Sequence, residues 1–139
     1  MPAPWQKKSE TLRVLNLDVI VVQVVGRNAD TWRVTSSHGE PIGEHPTAES
    51  AQKYAERFAA SQIEKTLASL SEVESRYETP AHGWKLKGGC GLVSLYIPPS
   101  DDFLDADGAV KPDVFEQKRS ALIAETRAKL RGLLKDLGR

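Results

Sequence analysis

At Pro46 and Thr47 the spacing of apolar residues changes from about two to about 3.6, and this change constrains the fold more than any other feature of the chain. Before it, Trp32 and Val34 alternate with Thr31, Arg33 and Thr35, as one face of a half-buried strand requires. After it, Ala51, Tyr54, Ala55, Phe58, Ala59, Ile63, Thr66, Leu70 and Val73 recur at helical spacing and form one stripe. Thr47 is placed to cap this helix, and Glu49 lies in its first turn, where the helix dipole favours a negative charge. The helix must end before Pro80, because Thr79 precedes a proline and is pushed out of the α region; a bend is expected near Ser69 to Ser71. The small alanines of the stripe let the helix axis come close to a sheet.

The remaining segments extend the same pattern. Leu12 to Val25 is rich in valine, isoleucine and leucine, which suits either one strand buried on both faces or two strands broken near Asn16 to Asp18. Gly26 to Asp30 is a turn, Ser36 to Glu40 a second turn around His38, and Pro41 to His45 a short return arm carrying Ile42. Trp84 to Ile97 reads as two strands broken at Gly88 to Gly91, with Val93, Leu95 and Ile97 on the more apolar face. After Pro98 and Pro99 comes an acidic loop, Ser100 to Val110, and Pro112 opens a second helix. Phe115, Leu122, Ile123, Leu130, Leu133, Leu134 and Leu137 share about a third of its circumference. The expectation is an α+β fold, with an antiparallel sheet of about four to five strands and two amphipathic helices packed against it. Residues 1–10 read as a flexible tail with Trp5 as its one anchor, and 11–139 as a single domain. Trp32 and Trp84 open similar strands, but the two halves share too little else for a duplication.

Composition excludes several classes. Lysine plus arginine (19) equals aspartate plus glutamate (19), so neither a generally basic nucleic-acid binder nor an acidic mimic is indicated. The apolar run Val19 to Val25 falls far short of the roughly 20 residues of a membrane helix, and the proline- and lysine-bearing start has no apolar stretch behind it. The lone Cys90 rules out an internal disulfide and suits a reducing compartment, so a cytoplasmic location is expected.

Sequence motifs for chemistry are weak. Cys90 lies among Gly88, Gly89 and Gly91, and His82 stands upstream, so a thiol nucleophile with backbone donors for an oxyanion can be drawn. The same glycines suit a turn between strands, and a free cysteine is most often a buried apolar residue, so a structural role is favoured. The glycines do not sit between a strand and a helix as a dinucleotide fingerprint needs, and no cofactor is expected. Asp101, Asp102, Asp105, Asp107 and Gly108 resemble a calcium loop in composition only: aligning Gly108 puts Phe103 and Val114 at the terminal ligand positions. His38, His45 and His82 lack metal-ligand spacing, although His45 is placed to fix the approach to the first helix.

One asymmetry stands out. Seven acidic residues face four basic ones between Glu44 and Glu78, whereas eight basic residues face four acidic ones from Lys111 to Arg139. Arg127, Arg131 and Lys135 step by four along one ridge beside the leucine stripe. The leading expectation is a non-enzymatic module working through protein contacts, or as a homodimer, with Leu130, Leu133, Leu134 and Leu137 in the interface. The alternatives are nucleic-acid binding along the basic ridge, which added salt must weaken steeply, and a thiol-dependent enzyme at Cys90.

Overall fold

In the computed structural model of the chain, the valine-rich run turns back on itself at Asn16 to Asp18. The Asn16 side-chain Oδ1 accepts the Asp18 backbone N–H at 2.9 Å, and Asp18 takes a φ of 70°, a conformation that Asp tolerates better than most residues. The structure describes residues 3–28, 30–37, 43–70, 75–77, 84–86, 92–93, 95–97, 102, 104–109 and 111–139, with 75–77 and 84–86 described by backbone alone. They form an α+β fold. A five-stranded antiparallel sheet runs β1 (Trp5–Ser9), β2 (Leu12–Asn16), β3 (Val21–Asn28), β4 (Thr31–Ser36) and β5 (Gly43–His45) in spatial order.

Residues 5–9 are therefore an edge strand and not part of a tail. Trp5 pairs with Leu15 and its indole Nε1 donates to Glu56 Oε1 at 3.0 Å. Composition alone misses this strand because its ladder partner, β2, supplies the order. Its exposed Lys7 and Lys8 blunt the edge against further pairing.

Cross-strand register sorts the two faces of the sheet. Leu15 stands opposite Val22; Arg13 opposite Val24, and Val24 opposite Val34; Gly26 opposite Trp32, and Trp32 opposite His45. On this face Leu15, Val22, Val24 and Val34 are fully buried. The other face carries Val14, Gln23 and Thr35 in one row and Val25, Arg33 and Glu44 in another, and it is more polar, with Arg33 ion-paired to Glu44 at 3.3 Å.

The helix α1 (Ala48–Leu70) covers the apolar face. Thr47 Oγ1 accepts the Ser50 N–H at 3.1 Å, the cap expected from sequence. Ala51, Ala55, Ala59 and Ile63 have no exposed surface, so the alanine seam is the contact line. Tyr54 is the correction to the stripe: it is 40% exposed, turned to the flank of the seam, and Ala48 and Ala60 are buried instead. Contacts from Glu56 to Trp5 and from Gln52 to Arg13 tie the first half of α1 to the strands beneath it.

A second antiparallel sheet has the order β6 (Ser75–Tyr77), β7 (Trp84–Leu86) and β8 (Leu95–Ile97). The first helix is described to Leu70, and 75–77 pair with 84–86 as a strand, so the helix ends before the Pro80 limit. Leu95 and Ile97 are buried and Tyr96 is 47% exposed, as strand alternation requires. The helix α2 (Pro112–Asp136) opens at its proline. Near its end Gly138 has a φ of 78°; the Gly138 N–H reaches the Lys135 carbonyl and the Arg139 N–H the Leu134 carbonyl, the paired bonds of a Schellman cap. The chain divides into two compact units, Met1–Lys65 with Arg131–Arg139, and Thr66–Leu130.

Candidate functional site

The polar residues on the helix-covered face of the first sheet converge on the start of α1. Gly26 opens the space they use. A Cβ at this position would stand only 3.0 Å from Trp32 Cη2 and 3.1 Å from Cζ3, so the missing side chain lets the indole lie across β3. The guanidinium of Arg13 stands 5.5 Å from the centroid of the Trp32 ring, and its Nη1 donates to Gln52 Oε1 at 2.7 Å. Glu49 Oε1 lies 3.9 Å from the same nitrogen. An arginine thus links the inner sheet to α1 over a tryptophan that only a glycine admits.

Filling that space gives a direct check. Gly26→Ala should push the indole off Arg13 and destabilise the protein by about 1–3 kcal/mol, as other overpacked positions do. Urea unfolding measures the loss, and the 19F signal of 5-fluorotryptophan at Trp32 should move while those of Trp5 and Trp84 stay.

At the outer edge of the same face, His45 of β5 stands beside α1. Its Nδ1 is 3.4 Å from Ser50 Oγ, and its ring centroid is 4.9 Å from that of Tyr54 with the planes at 44°. The role expected of His45, at the approach to the helix, matches these contacts. Arg13 Nε and His45 Nε2 are buried with no hydrogen-bond partner among the described residues. Next to His45 a groove of about 470 Å³ is lined by Thr47, Glu49, Ser50, Lys53, Tyr54 and Arg57. Nothing in the linear sequence marks this grouping, since it depends on the pairing of β5 with β4 and on the phase of α1. The one local hint is that Glu49, Lys53 and Arg57 recur every four residues.

The residues singled out from sequence are placed as follows. On α2, Phe115 and Leu130 are fully buried, so Leu130 belongs to the chain's own core and is not open to a partner. Leu122, Ile123, Leu133, Leu134 and Leu137 are only half-buried. Arg131 and Lys135 are exposed and Arg127 half-buried, and none of the three has an ion-pair partner among the described residues. In the acidic loop, Asp105 Oδ1 accepts the N–H groups of Asp107 and Ala109 at 2.9 and 3.0 Å, so this carboxylate oxygen serves its own turn. Cys90, His82, His38, Asp101 and Phe103 lie outside the described residues.

No family model, curated protein or solved structure matches the chain. Among the described residues, no helix is long and apolar enough to cross a membrane.

Proposed function

We propose that the protein is a non-enzymatic binding module that works through protein contacts, and that α2 pairs with α2 of a second copy. The observation that carries this reading is the imbalance of α2: over 25 residues it buries only Phe115 and Leu130, leaving four large aliphatic side chains half-covered, with Leu137 just past its end a fifth. Burying such side chains fully is worth about 1.5–3 kcal/mol each relative to full exposure, so a partial gain remains open to a partner surface.

Charge favours a second copy as that surface. α2 carries Asp113 in its first turn and Lys135 in its last, beside Asp136, while Glu116 is already paired with Arg119. An antiparallel, two-fold pairing brings Asp113 of one helix toward Lys135 of the other, and their dipoles oppose. The basic ridge then serves as the rim of the contact.

Sedimentation equilibrium across about 1–200 μM tests this, a range in which a weak dimer with micromolar affinity changes its mass. The expected result is a concentration-dependent rise toward twice the monomer mass. Leu133→Arg with Leu137→Arg should hold the protein monomeric with its helical circular dichroism intact. A wild-type protein that stays monomeric at the top of the range removes the dimer.

A further inference from the structure

We infer that the groove between β5 and the flank of α1 binds a small molecule that joins a planar ring to a phosphate group. This site is independent of the α2 contact. Two free cations begin the argument. Lys53 and Arg57 stand one turn apart on the groove wall, both exposed, and neither has an ion-pair partner among the described residues. Three other cations of the same unit are engaged: Arg13 with Gln52 and Glu49, Arg33 with Glu44, and Lys7 with Glu10. A phosphate set between Lys53 and Arg57 would receive charge-assisted hydrogen bonds from both, and the guanidinium fork can grip two of its oxygens.

The ring requirement comes from Tyr54, which stands between the two cations in sequence. It is 40% exposed, one of two large exposed hydrophobic residues among those described, and its ring packs against that of His45 with centroids 4.9 Å apart. A partly exposed aromatic ring on a groove wall is a stacking platform for another planar ring. Glu49 is the one carboxylate in the wall among the described residues, and Arg13 Nη1 at 3.9 Å offsets its charge from the sheet side. The groove volume of about 470 Å³ falls in the range of small-ligand sites, with room for a nucleoside monophosphate.

NMR titration of the 15N-labelled full chain tests the site, using adenosine monophosphate, phenyl phosphate, inorganic phosphate and adenosine as separate probes. The expected result is saturable shifts at residues 45–57 with both ring phosphates, and affinity at least about tenfold weaker for inorganic phosphate and for adenosine. Preference for adenosine monophosphate over phenyl phosphate would identify a nucleotide; equal binding would identify an aryl phosphate. Lys53→Ala with Arg57→Ala should weaken both by at least about fivefold, the loss of one charge-assisted contact or more, without changing circular dichroism. Tyr54→Leu should weaken the ring phosphates and leave inorganic phosphate unchanged. Absence of saturable shifts up to about 10 mM, or binding indifferent to the loss of Lys53 and Arg57, overturns the inference.

Discussion

Replacing Ala55 and Ala59 together by leucine is expected to destabilise the protein by about 2–6 kcal/mol, the sum of two overpacking penalties of about 1–3 kcal/mol each. Both alanines have no exposed surface and lie one turn apart on the seam that α1 presents to the first sheet. Leucine is the better-packed residue on most helices, and its intrinsic helix propensity is close to that of alanine. The penalty therefore isolates the packing of this helix face, since both alanines are fully enclosed and the added carbons have nowhere to go unless the helix lifts. Lifting it would also break the Trp5–Glu56 and Arg13–Gln52 hydrogen bonds. Against a typical total stability of about 5–15 kcal/mol, such a loss shows clearly in urea unfolding. Ser61→Leu, on the exposed side of the same helix, is the control and should change stability by no more than about 0.5 kcal/mol. A double variant that unfolds with the control would mean that α1 does not rest on its alanines.

The seam was legible in the sequence because its cause is local. Alanines and aliphatic residues at helical spacing, a threonine in the capping position and a proline at the start of α2 each specify structure within one or two turns. Leu95 and Ile97 were legible for the same reason, on a strand period. Trp5–Ser9 and Ser75–Tyr77 were not, because these short polar strands are held by ladders to β2 and β7, and no local rhythm announces a partner. The groove was hidden at a further level. Gly26 reads as turn punctuation, yet its position opposite Trp32 makes it the space for an indole, and only register reveals that. Likewise the leucines of α2 predict a buried stripe, whereas how much of it the chain itself covers depends on packing that periodicity does not contain.

Register itself can be tested with two aspartates on one strand. Val22 and Val24 are both fully buried, on the same face of β3, and two residues apart. A carboxylate at either position loses the apolar burial and meets an interior that does not solvate charge, which should cost at least about 4 kcal/mol. Their neighbours differ. Val22 stands between Leu15 and Ser36, whereas Val24 stands between Arg13 and Val34. Arg13 is a cation whose Nε has no hydrogen-bond partner among the described residues, so a carboxylate in place of Val24 can accept from it. Val24→Asp is therefore expected to be less damaging than Val22→Asp by about 1–3 kcal/mol, the scale of a hydrogen bond to a charged group. In an Arg13→Ala background the advantage should vanish, which a double-mutant cycle in urea reads directly. A slip of one residue between β2 and β3 would turn Arg13 to the opposite face and make the two aspartates equally harmful in both backgrounds. Where Val22→Asp abolishes folding outright, the milder pair Val22→Asn and Val24→Asn keeps the comparison measurable, with Val24→Asn still the less damaging because its amide oxygen can accept from Arg13.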